Sequence, residues 1–209
     1  MSLRFSKLPS WWIRHNFLRK VFRGGSEVGT SIAALKCVIG ISVVIDFHSR
    51  RGRISISELE DFTGLSRPMV QRGIKLLETV DVVEIDRGHA NEYTLTERPD
   101  DSYWTKLPVD RLKRNLSTIP NRGIVPLTAL KIYLLLLSFR KNDSVHITMP
   151  YDFFCSELGI QRSHIRSALD ILYSHKLLHV SHEPRVKLGS QPNVYTILGL
   201  EKFNESKVV

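Results

Sequence analysis

The hydrophobic and polar positions of this chain fall into one order of elements that occurs twice. Two long apolar segments, residues 31–47 and 128–140, have the composition of buried helices. Each is followed by a polar turn and by a short β-branched stretch, residues 53–55 and 146–148, which predicts a small edge strand. Two short helices and then a pair of strands complete the unit in both copies.

The second short helix of each copy has a one-sided hydrophobic stripe. Its apolar residues are spaced i, i+4, i+7 and therefore lie along one side of a helix. They are Val70, Ile74 and Leu77 in the first copy and Ile165, Leu169 and Leu172 in the second. The preceding helix ends at Gly64 or Gly159, because glycine permits the positive φ that a tight interhelical turn requires. Ser57 is predicted to cap the first short helix, whereas Ser66 caps the second and Pro68 fits its first turn.

The two strands that follow each helix pair are predicted to form a hairpin. They span residues 82–86 and 92–95 in the first copy and residues 177–181 and 194–198 in the second. The loop of the second hairpin is longer and basic, since it contains Arg185 and Lys187.

The amino acids themselves also repeat. Ala-Leu-Lys at 34–36 recurs at 129–131, and Lys-Leu-Pro at 7–9 has an echo at 106–108. Such ordered matches predict the duplication of one unit. The predicted parts are a basic amphipathic arm (1–25), a first domain (26–98), a linker with a short helix (99–123), a second domain (124–200) and a tail (201–209).

The arm interleaves apolar and basic residues between positions 10 and 22. Three interpretations of this segment stay open. It is a helix packed on the first domain, as residues 107–116 would cover the second. Alternatively it is a helix that binds a second copy or a partner protein, or it is a membrane-surface helix.

The charge balance favours a polyanionic partner. The 209 residues include 30 Lys and Arg against 21 Asp and Glu, which gives a net charge of +9 and a pI near 9.7. The alternative is a basic protein whose charge serves only solubility. Cys37 and Cys155 lie in apolar runs and are expected to be reduced core thiols of a cytoplasmic protein.

No secretory signal or membrane span is expected. The N-terminus leads directly to two tryptophans and then to charged residues. The most apolar run, residues 32–45, contains Lys36 and is shorter than the ~20 residues that cross a bilayer, so it is expected to be a buried helix.

The order helix, small strand, helix, tight turn, helix and hairpin resembles the winged helix-turn-helix of DNA-binding domains in both halves. This resemblance implies an α+β, mostly helical fold of two tandem winged helix-turn-helix domains. Two consecutive winged helices in one short chain are similar to the plasmid replication initiators built from paired winged helices. That family implies binding to repeated origin sequences as a monomer and autorepression as a dimer.

The resemblance and the residue types give the candidate DNA-binding residues. Arginine can present a bidentate fork to guanine, glutamine can present one to adenine, and a helix N-terminus can hold a phosphate. The candidates are Ser66, Arg67, Pro68, Gln71, Arg72 and Lys75 on the first recognition helix, Gln161, Arg162, Ser163, Arg166 and Ser167 on the second, and Arg87, His89, Arg185 and Lys187 in the wings. The alternative is that these side chains form only a solvated helix face.

The two predicted recognition helices are not equal. Lys75 of the first copy corresponds to Asp170 of the second. The first helix is therefore expected to contribute more phosphate affinity, and the longer second wing to compensate.

Residue patterns typical of catalysis are missing from the sequence. It has no glycine-rich phosphate loop and no His-Glu-x-x-His, and its acidic pairs lie in ordinary positions. A cluster of His175, His179 and His182 is interpreted as a basic patch and not as a metal site. The chain is therefore expected to be a non-enzyme without cofactor or metal.

Three functions are compatible with a basic, non-enzymatic protein of two predicted winged helices. The first is a replication initiator of a plasmid, phage or mobile element, located in a prokaryotic cytoplasm and associated with the nucleoid or a plasmid. The second is a transcriptional regulator that uses the same surfaces on an operator. The third is a protein-docking module of the kind found in chromosome-segregation subunits, which tend to be acidic. Double-stranded DNA is the expected partner, together with a homodimer or the replication or transcription machinery.

Overall fold

The computed structural model describes residues 5–46, 48–88, 91–99, 103–182 and 193–200. The protein belongs to the α+β class with 52% helix and 19% strand, so the mostly helical class expected from the sequence is confirmed. Predicted features at residues 47, 89–90, 183–192 and 201–209 lie outside the described residues.

The first half of the chain contains four strands, five α-helices and a 3-10 turn in its described part. They are β1 (Phe5–Pro9), α1 (Trp11–Arg14), α2 (Phe17–Lys20), the 3-10 turn Gly25–Glu27, α3 (Val28–Val44), β2 (Arg51–Arg53), α4 (Ile56–Thr63), α5 (Arg67–Thr79), β3 (Val83–Asp86) and β4 (Glu92–Leu95). The order from α3 to β4 is the order predicted from the hydrophobic pattern.

The second half gives the corresponding series. Its elements are β5 (Trp104–Pro108), α6 (Val109–Asn115), α7 (Ile124–Phe139), β6 (His146–Thr148), α8 (Tyr151–Leu158), α9 (Arg162–Ser174), β7 (Leu178–His182) and β8 (Asn193–Ile197). Each half has an antiparallel three-stranded sheet, in the order β2-β4-β3 and β6-β8-β7. The central strand of each sheet carries a buried tyrosine, Tyr93 or Tyr195.

The long helices α3 and α7 form the centre of the molecule. Every residue from 31 to 43 is buried in α3, and every residue from 126 to 138 is buried in α7. A helix without a polar face must be surrounded by protein, and α3 accordingly contacts α4, α5, α7 and β1. The buried side chains form one continuous hydrophobic core across both halves.

Both helices begin earlier than the sequence predicted. The sequence predicted an apolar segment over residues 32–45, which is too short to cross a bilayer. The prediction was wrong in length, because the helical stretch runs over the 20 residues Gly25–Val44. By length and composition this stretch could cross a membrane, but 72% of its apolar 18-residue segment is buried inside the protein. That burial is compatible with the core helix of a soluble protein.

The N-terminal segment is not one amphipathic helix, and it packs on both halves: the Trp11 indole nitrogen donates to the Thr96 carbonyl oxygen of the first half at 3.0 Å. Asn16 adopts a left-handed conformation with φ 64° and divides the segment into α1 and α2. The Arg14 and Arg19 guanidinium groups donate to the carbonyl oxygens of Ser138 (2.8 Å) and Ser156 (2.9 Å), which both belong to the second half. The large apolar side chains of the segment, Trp11, Trp12, Ile13, Leu18 and Phe22, are buried. They are therefore covered by the protein's own core and do not face a membrane or a partner.

Strands β1 and β5 join the beginnings of the two halves in an antiparallel ribbon. The register is symmetric about Lys7 and Lys106, which lie opposite each other. The Lys7 ammonium lies 4.9 Å from the Trp104 ring centroid, and the Lys106 ammonium lies 4.8 Å from that of Phe5. Because equivalent residues pair reciprocally, the ribbon has a local twofold relation.

Candidate nucleic-acid interface

In the first half, a tight turn joins α4 to α5. Ser55, not the predicted Ser57, caps α4: the Ser55 hydroxyl accepts from the Glu58 amide (3.1 Å) and the Glu58 carboxylate accepts from the Ser55 amide (2.7 Å). This capping box starts the helix two residues earlier than the sequence suggested. Gly64 ends α4 with φ 67°, as the turn was predicted to require.

Helix α5 begins immediately after that turn. Ser66 occupies the N-cap position with extended backbone, but its side chain makes no capping hydrogen bond. Pro68 lies in the first turn, where its missing N–H leaves no helical bond unmade. In the second half α8 ends at Gly159, with φ 62°, and Gln161 takes the N-cap position of α9.

The faces of α5 and α9 are those predicted from the stripe. Val70, Ile74 and Leu77 are buried, as are Ile165, Leu169 and Leu172. Gly73 permits close packing of α5 on α3, because a Cβ there would lie 2.6 Å from the Ala33 carbonyl carbon. The candidate residues of these helices are all exposed: Ser66, Arg67, Pro68, Gln71, Arg72 and Lys75, and Gln161, Arg162, Ser163, Arg166 and Ser167.

Arg67 is oriented by groups on α4. Its Nη2 donates to the Ser57 hydroxyl at 2.9 Å, and its Nε lies 3.3 Å from a carboxylate oxygen of Glu60. The Arg67 side chain nevertheless remains 55% exposed. An ion pair with this exposure contributes only ~0–1 kcal/mol, so the guanidinium can exchange its partners for a ligand at little cost.

Arg162 has an equivalent arrangement in the second half. Its Nη1 is bonded to a carboxylate oxygen of Asp152, and its guanidinium carbon lies 5.5 Å from the Tyr151 ring centroid. Both Arg162 and Asp152 are largely exposed. The first arginine of α5 and of α9 is therefore held at the exposed start of its helix by a group ten residues earlier in the chain.

Arg87 lies at the end of β3 and is paired with Glu78 of α5. Its two terminal nitrogens donate to the two carboxylate oxygens at 2.7 and 2.6 Å, and these bonds hold the pKa of Glu78 below its usual value. The pair attaches the end of β3 to the last turn of α5. The other wing candidates, His89, Arg185 and Lys187, lie outside the described residues.

An open cleft of about 540 Å³ lies between the β3–β4 hairpin and the start of α4. Gly88 and Asn91 from the hairpin and Arg67 from α5 line it together with Arg53 of β2 and Ser57 of α4. The cleft thus places Arg67 beside Arg53, Ser57 and Asn91, which sequence reasoning did not include in the site. Arg53 had a visible signal, because it is a basic residue at the start of the predicted edge strand and closely follows Arg50 and Arg51.

The surface charge differs between the two helices as the sequence indicated. Lys75 is exposed on α5, and Asp170 is exposed at the equivalent place on α9. Among the described residues no group of three or more His, Cys, Asp and Glu side chains could hold a metal ion. His175, from the predicted histidine patch, instead directs its ring nitrogens at the carbonyl oxygens of Ile171 (2.7 Å) and Thr118 (3.0 Å).

The two halves thus present similar exposed basic helix faces above a shared core. No protein-family model matches the chain, and no curated protein shows significant similarity to it.

Proposed function

We propose that this chain is a sequence-specific double-stranded DNA-binding protein with two tandem winged helix-turn-helix units that arose by duplication. We further propose that it acts as a replication initiator of a plasmid, phage or mobile element. One observation carries the proposal: α5 and α9 each bury an apolar stripe and expose arginines at the end that follows a glycine turn.

The chemistry of these helices suits base recognition. An α-helix fits the major groove of B-DNA, and side chains near its N-terminus reach the base edges. Arg67 and Arg162 sit at the first position of their helices and can each present a fork to guanine, while Gln71 can pair with adenine. Each bidentate contact contributes ~1–3 kcal/mol of discrimination. The net charge of +9 supplies the attraction to the phosphate backbone.

The twofold register of the β1–β5 ribbon supports an inverted arrangement of the two DNA half-sites. If the halves follow the twofold relation of the Lys7–Lys106 register, α5 and α9 approach DNA in opposite directions. One molecule would then bind an inverted pair of half-sites about one helical turn, ~10 bp, apart. A single inverted repeat is also what a transcriptional regulator binds, so this observation favours the regulator as the second candidate function.

Selection of bound fragments from random duplex DNA tests both candidates. We expect a bipartite consensus whose affinity falls steeply with salt, because several Lys and Arg contacts release counterions. Direct repeats of the whole bipartite unit at the element's replication origin identify an initiator, whereas one isolated unit at a promoter identifies a regulator. Failure to retain any duplex, even at low salt, refutes DNA binding and favours protein docking.

A further inference from the structure

The segment between the two halves is bonded to the turn of the first helix-turn-helix. The buried Lys36 ammonium donates to the carbonyl oxygens of Thr63 (2.8 Å) and Ile119 (2.6 Å) and to Asn121 Oδ1 (2.6 Å). The Asn121 amide nitrogen in turn donates to the Gly64 carbonyl at 2.5 Å. Lys36 and Asn121 therefore connect the central helix, the turn and the linker.

The linker also lies directly on that turn. A Cβ at Gly64 would be 2.4 Å from the Ser117 carbonyl oxygen, so no side chain fits between them. Gly64 is needed here for two independent reasons, its φ of 67° and this close approach.

The same linker segment is bonded to the end of α9. The Thr118 carbonyl oxygen lies 3.0 Å from His175 Nε2, and His175 is the C-cap residue of α9. Residues 118–121 therefore contact the helix-turn-helix of the first half and the recognition helix of the second half within four positions.

A second cross-contact holds the turn of the other half. Arg19 of α2 donates to the Ser156 carbonyl at 2.9 Å, and its Cγ would lie 3.0 Å from a Cβ at Gly159. Each of the two turns is thus covered by a segment from outside its own helix pair. Two domains on a free tether would not share such contacts.

We propose that Lys36, Asn121 and His175, which we call the linker clamp, are positioning residues that fix the separation of α5 and α9. The protein then reads its two half-sites at one spacing only. The role in DNA reading rests on the proposed function, whereas the fixed separation can be measured without DNA.

The first test varies the DNA. Fluorescence anisotropy is measured on the selected bipartite duplex and on duplexes with one, two or five base pairs inserted between the half-sites. Each inserted pair moves the second half-site by about 3.4 Å and rotates it by roughly 35°. We expect roughly 100-fold weaker binding once both helices can no longer engage together. Equal affinity at all spacings would overturn the proposal.

The second test varies the clamp. Asn121→Ala removes the links to Lys36 and Gly64. The control Asn115→Ala removes an amide that, within the described ranges, donates only inside its own helix, to the Arg111 carbonyl at 2.8 Å. We expect Asn121→Ala to bind the inserted duplexes several-fold better relative to the original site, and Asn115→Ala to discriminate like the unaltered protein. Unchanged discrimination in Asn121→Ala would refute its positioning role.

The third test needs no DNA. Spin labels are attached to cysteines introduced at the exposed, equivalent ends of α5 and α9 by Thr79→Cys and Ser174→Cys. Cys155→Ser removes the partly exposed native thiol, whereas the buried Cys37 is kept. Pulsed dipolar spectroscopy should give one narrow distance distribution that Asn121→Ala broadens. A broad distribution in the parent protein overturns the clamp. A narrow distribution in a protein that binds no duplex leaves the clamp standing and refutes the DNA-binding proposal.

Discussion

Replacement of Lys36 by methionine should destabilise the protein more than the same replacement of Lys131. The two lysines occupy equivalent positions on α3 and α7, and both are buried. Burial lowers the pKa of each from 10.5 to about 8, so both remain mainly ammonium at pH 7. Their partners differ. Lys36 donates to three acceptors at 2.6–2.8 Å, whereas Lys131 has one partner in the described part of the chain, the Leu158 carbonyl at 3.5 Å.

The magnitude follows from what each replacement leaves behind. Methionine removes the cost of a buried charge at both sites, and that gain is similar because the two pKa values are similar. It also strands the acceptors that the ammonium had satisfied, at ~1–3 kcal/mol for each buried group. Lys36→Met strands one buried carbonyl more than Lys131→Met, whereas the partly exposed Asn121 side chain can bond to water instead. The free energy of unfolding should therefore be about 1–3 kcal/mol lower for Lys36→Met than for Lys131→Met.

Urea unfolding at pH 7, followed by circular dichroism, measures this difference. The two variants are matched controls for each other, because both exchange a buried lysine for methionine on a central helix. Similar m-values would show that the same cooperative unit unfolds in both. If Lys131→Met lost as much stability as Lys36→Met, the three short hydrogen bonds would not stabilise the fold as reasoned.

Three further predictions concern single positions. The stability of the unaltered protein relative to Lys131→Met should rise between pH 8 and 10.5, because the folded protein releases this proton before the unfolded chain does; a flat or falling difference in urea midpoints across that range would contradict the lowered pKa. Arg67→Ala should relax base preference in one half-site without changing the melting temperature, since the side chain lies off the buried stripe; Lys113→Ala, an exposed charge on α6, is the control, and a folding defect in Arg67→Ala alone would refute the assigned facing. Leu77→Ala and Leu172→Ala should each cost ~2–5 kcal/mol in denaturant unfolding by leaving a cavity, and a loss below 1 kcal/mol at either would show that its stripe is poorly packed.

The local sequence pattern was enough to predict the helix pair α4 and α5 and the turn between them. The spacing of Val70, Ile74 and Leu77 fixes which side of α5 is buried, and Gly64 marks the turn. The wrong cap at Ser57 shows the limit of this reasoning, because two serines stood two positions apart and only the Glu58 side chain decides between them. That decision is local, and the capping-box spacing from Ser55 to Glu58 could have revealed it.

The role of Lys36 could not be predicted in the same way. Its repetition at Lys131 was visible, but its partners are mainly carbonyl groups, and one of them belongs to Ile119, far along the chain. Backbone acceptors carry no sequence signature. The prediction for the N-terminal segment failed for a related reason. Its mixture of apolar and basic residues fits one continuous helix, but the left-handed Asn16 interrupts that helix and Arg14 bonds to the distant Ser138 carbonyl.

The β1–β5 ribbon has a consequence for how the chain is made. Strand β1 leaves the ribosome before its pairing partner, which follows about a hundred residues later. Until Pro108 emerges, β1 offers unpaired backbone groups, and such edges can pair with another nascent chain. The first half is therefore not expected to mature during synthesis, and a fragment ending near residue 99 should be prone to exchange strands with its own copies.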